Sequence, residues 1–180
     1  MTPYKRAREM SRMKRYEMTA SQLREILHYA PETGVFTRII STGLNTHAGD
    51  IAGGLHSTGY FEIRACGHKY KAHVLAWLYV YGVYPDAFLD HINGNRADNR
   101  IENLRQATKA ENAQNYKTRK DNTSGATGVI WHKRTGKWAA ALSINKHLTH
   151  LGLFASFDEA KMVRDAAKKE FHKFQPEQRA

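Results

Sequence analysis

The 180-residue chain predicts an α+β fold in two parts. Up to residue 115, short segments with helical spacing alternate with short strand-like segments. At Tyr116 the composition changes, and "YKTRKDNTSGATG" is polar and glycine-bearing. Beyond it, three evenly spaced strand candidates precede one capped amphipathic helix.

"TASQLREILHYAPETG" reads as a helix. Leu23, Leu27 and Ala30 recur at helical spacing, Thr19 and Gln22 fit a capping box, and Pro31 and Gly34 stop it. "VFTRII" reads as a strand, and "HAGDIAGG" as glycine-rich turns. "GYFEIRACGHKYKA" predicts two strands around a turn at Cys66-Gly67. "HVLAWLYVYG" is apolar nearly all round, which suits a buried helix ending at Gly82. In "LDHINGNRADNRIENL", Asn93-Gly94 is a two-residue hairpin signal. Leu89 and Ile92 anchor the strand before it, and Ile101 and Leu104 the return. "TKAENAQN" starts a short helix at Thr108, with Glu111 three residues on.

After the polar linker, "GVIWHK", "KWAAALSI" and "HLTHLGLF" predict three strands, with turns at Thr135-Gly136 and Asn145-Lys146. "SFDEAKMVRDAAKKEF" predicts a helix capped by Ser156 and Glu159. Its stripe is Ala160, Val163, Ala167 and Phe171, with Ala166 beside it. Small alanines on both partners favour close packing of this helix on the sheet.

Charge narrows the function. The formal net charge is +11, unevenly spread. Residues 1–17 carry 6 Lys/Arg against 2 Asp/Glu, residues 18–115 carry 9 of each, and residues 116–180 carry 13 against 6. Two basic flanks around a neutral middle suit nucleic acid, whose phosphates they neutralise. A membrane surface is disfavoured, because no basic amphipathic helix with bulky apolar residues stands out. No apolar run is long enough for a membrane span, and the basic N-terminus has no apolar stretch behind it, so no secretory leader is expected. A single cysteine, Cys66, leaves no internal disulfide and suits a reducing, cytoplasmic setting.

The hairpin segment carries the candidate chemistry. Alone, His91 reads as a strand histidine and the asparagines as loop decoration. Asp90 is a hard oxygen ligand, and Asn103 and Asn112 add amide oxygens. A hairpin followed by a helix, with Asp, His and Asn converging, suits a single-metal phosphodiesterase site. In an ideal strand Asp90 and His91 point to opposite faces, a constraint that a twisted strand end relaxes. His68 and His73 bracket a strand and form a weak zinc alternative with His91. His73 is better placed beside the site or on a phosphate. Arg100 and Arg105, near the hairpin, are candidates for the scissile strand.

"DHINGNRADNRIENLRQATKAENAQN", led in by "KAHVLAWLYVYG", resembles the HNH nucleases of the homing and phage type. The resemblance spans roughly residues 19–115. It implies a ββα-metal (His-Me finger) nuclease domain. His91 then matches the general base, and Asn103 the middle Asn that ties the hairpin together. Asn112 stands where many such proteins have their last His. Asp90 and Asn112 would hold one divalent ion, with Asn favouring Mg²⁺ or Mn²⁺ over Zn²⁺.

"GVIWHKRTGKWAAALSI", "HLGLF" and "SFDEAKMVRDAA" resemble the AP2 DNA-binding domains, a three-stranded antiparallel sheet packed on one helix. There the sheet lies in the major groove. Trp138, Leu142 and Ile144 are expected to face the helix, and Ala139, Ala141 and Ser143 the DNA. Ile130 and Ser143 replace arginines of the plant domains, so the plant specificity does not transfer. Lys133, Arg134, Lys137, Lys146 and His150 are the candidate DNA contacts.

The expected organisation is therefore a basic arm (1–17), an HNH nuclease domain (18–115), a linker (116–126), an AP2-like domain (127–174) and a tail (175–180). The expected activity is metal-dependent cleavage of double-stranded DNA by a monomer, with no small-molecule substrate. One site per chain suits nicking unless two chains act together. A DNA-binding regulator that no longer cuts, and a structural binder of RNA or protein, are the alternatives.

Overall fold

The computed structural model describes residues 17–41, 45–114, 121–144 and 147–172. Most of the basic arm, much of the linker, the turn holding Lys146, and the tail lie outside the described residues. The chain divides into two compact units, the first ending at Thr108 and the second starting at Lys109. All strand pairs are antiparallel, in a mixed α and β architecture.

The first unit opens with α1 (Ala20–Ile26), capped by the reciprocal Thr19–Gln22 box. This helix is shorter than its spacing predicts. Leu27 is already extended, and β1 (Leu27–Ala30) pairs with β2 (Val35–Arg38). Leu27 and Tyr29 are buried while His28 is exposed, a period of two. A strand carries Tyr29 onto Phe36, with ring centroids 4.7 Å apart, and onto Tyr79 at 5.6 Å. That burial outweighs the helical propensity of the segment.

A second sheet holds β3 (Gly54–Leu55), β4 (Phe61–Ala65) and β5 (His68–Lys71) in that order. Its β4–β5 turn is at Cys66-Gly67, as the sequence predicts. Both residues have positive φ, 47° and 77°, which a two-residue hairpin with right-handed strand twist requires. The buried helix also forms, as α2 (Ala72–Tyr81), and it ends at Gly82 in the left-handed region. The core joins Leu23, Leu27, Tyr29 and Phe36 to Ile63, Tyr70, Leu75 and Leu78, with Trp77, Tyr79 and Tyr84 packed around it. Tyr81, on the same helix, is 53% exposed.

A two-stranded ladder of β6 (Phe88–His91) and β7 (Leu104–Ala107) completes this unit, with a 3-10 turn at Ile101–Asn103 just before β7. The Asn-Gly signal does not set a tight hairpin here. Only Gly94 has positive φ, and the turn merely closes His91 to Gly94. The strands are joined instead by residues 92–103, whose side chains supply the closing bonds.

The second unit begins with α3 (Lys109–Gln114). Its sheet has the order β10 (His147–Phe154), β9 (Lys137–Ile144), β8 (Val129–His132), and α4 (Phe157–Phe171) packs against it. Ser156 caps α4 by accepting from the Glu159 N–H. Ala140 and Ala160 are both fully buried in one cluster with Ala126 and Val129, so strand and helix approach closely. Trp138 packs on Phe157 at 5.1 Å. The predicted helix stripe fails at its end: Phe171 is 51% exposed and Ala166 is exposed, while Lys168 is buried. A register shift between His150 and Gly152 places Leu151 against the core cluster, a bulge the strand pattern does not reveal.

Candidate active site

The β6–β7 ladder sets Asp90 opposite Arg105 and His91 opposite Leu104. Neighbours in a strand should diverge, yet both Asp90 and His91 are buried, at 7% and 4% exposure. Asp90 is buried with a counter-charge. Arg105 donates from Nε (3.1 Å) and Nη2 (2.9 Å), both to Oδ2. Arg105 thus turns inward to the candidate metal ligand.

Residues 92–103 are locked by Asn103. Its Oδ1 accepts from the Asn93 N–H at 3.0 Å, its Nδ2 donates to the Asp98 carbonyl at 2.8 Å, and its own carbonyl accepts from the Ile92 N–H at 2.9 Å. Asn93 also donates to the Asp98 carboxylate. Arg100 chelates Asp98 and reaches Glu102, and this guanidinium holds the Asp98 carboxyl below the usual carboxylate range. Arg100, like Arg105, is thus paired with carboxylates of its own loop or strand pair.

The same loop is pinned to the β1–β2 hairpin. The buried Tyr29 hydroxyl donates to the Asn99 carbonyl at 2.7 Å, and the Ile101 N–H donates to the Pro31 carbonyl. Gly34, at φ 73°, seats on this backbone, where a Cβ would lie 2.5 Å from the Arg100 nitrogen. Asn99 is buried, and its Nδ2 donates to the Ala97 carbonyl at 3.0 Å.

His91 lies among rings. His73 meets it edge-on at 4.9 Å and 88°, and Tyr60 lies 6.0 Å away. Burial pushes the His91 pKa below its ordinary value, against the opposing pull of Asn99 and Asp90. An imidazole so placed is neutral at neutral pH, the form that accepts a proton. Burial, aided by His91 and Lys71, takes His73 down to about 3. His73 thus packs beside the site, as the sequence suggests. His68 instead stands against Tyr70. Among the described residues no group of three or more His, Cys, Asp or Glu forms a metal cage, so a zinc trio of His68, His73 and His91 is not assembled.

The remaining candidates lie in the second unit. Asn112 sits half-buried on α3. Lys133 and Arg134 occupy the β8–β9 turn and Lys137 starts β9, all exposed, and His150 is exposed on β10. Trp138, Ala140 and Leu142 alternate inward, and Ile130 on the neighbouring strand is 60% exposed. Lys146 lies outside the described residues. The sequence reading missed Asn99 and Tyr60 altogether. Asn99 is one asparagine among several in the loop, and nothing local marks Tyr60.

Residues 70–114 match the HNH endonuclease family, a span that includes Asp90, His91, Asn103 and Asn112. Protein 3.8 of Escherichia phage T7 is 38% identical over 78 residues, covering 41% of this chain and 64% of that protein. The chain thus spans less than two thirds of that relative's length. No solved structure matches. Among the described residues no helix is long and apolar enough to cross a membrane. Residues 70–114 carry an HNH endonuclease domain, and the chain has a phage protein as a homologue.

Proposed function

We propose that the chain is a metal-dependent DNA endonuclease with His91 as general base. The observation that carries this reading is a buried, neutral imidazole beside a buried carboxylate, at a strand end whose loop is tied by Asn103. His91 takes a proton from water, and the water oxygen attacks the scissile phosphorus in line. The bond to the 3′ oxygen breaks, leaving 5′-phosphate and 3′-hydroxyl ends. His73 packs edge-on against the imidazole ring, and Asn103 holds the loop that follows it.

Asp90 and Asn112 carry oxygen ligands of the kind a hard cation takes. Asp90 and Asn112 would hold one Mg²⁺ or Mn²⁺. Such an ion would supply positive charge to offset the negative charge that develops on the phosphate as it is cleaved. The second unit is read as an AP2-like DNA-binding module, with Ala139, Ala141 and Ser143 toward DNA and Lys133, Arg134, Lys137 and His150 on phosphates.

A plasmid assay with Mg²⁺ or EDTA tests this. Cleavage is expected only with the ion, and His91→Ala is expected to keep binding and lose cleavage. Metal-dependent cleavage by His91→Ala would falsify the base assignment. One observation favours a second reading, a DNA-binding regulator of AP2 type that does not cut. Asp90 already has a cationic partner in Arg105, and a carboxylate so neutralised has less need of a metal. Wild-type binding without cleavage in any divalent ion would establish that alternative.

A further inference from the structure

Arg100 and Arg105, the arginines nearest the hairpin by sequence, are both held by carboxylates. Two other cations gather on the Tyr60 ring beside the base. Lys71, the last residue of β5, places Nζ 3.9 Å from the centroid of the Tyr60 ring. Arg96, from the loop after β6, brings its guanidinium carbon within 5.0 Å of the same ring and donates from Nη1 to the Thr58 carbonyl at 3.1 Å. That ring lies 5.3 Å from His73 and 6.0 Å from His91.

Like charges converging on one ring repel. Among the described residues neither Lys71 nor Arg96 forms an ion pair. Glu62 lies across from Lys71 in the β4–β5 register, yet Lys71 turns over the tyrosine instead. The ring attracts both cations through its face and fixes where they point. Two oriented cations without a carboxylate, on a ring 6.0 Å from His91, suit an anion that arrives with the substrate.

We propose that Lys71 and Arg96, held on Tyr60, form the seat for a backbone phosphate of the DNA strand that enters the His91 site. The identification of that strand as substrate rests on the nuclease reading, but the seat itself does not require cleavage. A phosphate contact of this kind positions the strand without reading its sequence.

The test uses the full chain and a labelled DNA duplex in EDTA, where nothing is cut, with affinity measured across a salt series. Each phosphate contact contributes roughly 0.9 to the slope of log affinity against log salt. K71Q/R96Q is expected to reduce that slope by about 2, and each single variant by about 1. Both side chains are on exposed residues, so melting temperature is expected to hold. R64Q/K69Q, an equal charge loss further along the same hairpin, is expected to change the slope much less. A wild-type slope in K71Q/R96Q would overturn the seat. So would an equal loss in R64Q/K69Q, which would make the effect one of net charge. A wild-type chain that never cuts, but loses slope in K71Q/R96Q, would sink the nuclease reading and leave the seat standing.

Discussion

Arg105 donates two hydrogen bonds to a single oxygen of Asp90, at 2.9 and 3.1 Å, from directly across the β6–β7 ladder. Both side chains are largely removed from solvent, and breaking such a pair strands a charge. Arg105→Ala is expected to destabilise the first unit by about 3 kcal/mol in urea denaturation. An unchanged midpoint would mean that the pair contributes little.

Asn103 closes three bonds between the two ends of residues 92–103. Asn103→Ala removes the two made by its side chain and leaves the Asn93 N–H and the Asp98 carbonyl to find other partners. The expected cost is about 2 kcal/mol. DNA affinity in EDTA should persist while cleavage falls at least tenfold, because the loop follows directly on His91. Full cleavage in a folded Asn103→Ala would argue against any role for loop order.

Tyr29 acts at a greater remove. Its hydroxyl fixes the Asn99 backbone in the loop that follows His91. Tyr29→Phe keeps the ring packing and deletes only the donor. A loss of about 1 kcal/mol is expected, measured by thermal or urea unfolding. Cleavage should fall while DNA affinity holds, and should recover toward wild type at saturating metal only if the fault lies elsewhere.

The buried histidines set a pH dependence of stability. His73 has an ordinary value of 6.5, and folding lowers it to about 3. Between these values the unfolded chain binds a proton that the folded chain refuses. Stability is therefore full above about 6.5 and falls as pH drops, by roughly 1.4 kcal/mol per pH unit for one such group. His91 is shifted in the same direction and adds to the loss. His73→Gln should flatten the acid slope by about one proton in a urea series from pH 7 to pH 4. An unaltered slope would assign it to other groups.

What the sequence determined by itself was local. The Cys66-Gly67 turn, the apolar helix ending at Gly82, the capped C-terminal helix and the three strands before it were all legible, because neighbouring residues supply their signals. The Asp90–His91 pair and Asn103 were visible as residues worth testing. Tertiary structure decided the rest. It ended the first helix at Ile26, because Tyr29 is buried better on Phe36 and Tyr79 than on a helix face. It replaced a tight Asn-Gly hairpin with a loop closed by side chains. It also paired Arg100 with Asp98 and Glu102 and Arg105 with Asp90, and brought Lys71 and Arg96 onto Tyr60 beside His91. Propensity and capping act over a few residues, so a sequence displays them. Which carboxylate an arginine meets depends on strand register and chain return, which no local pattern encodes.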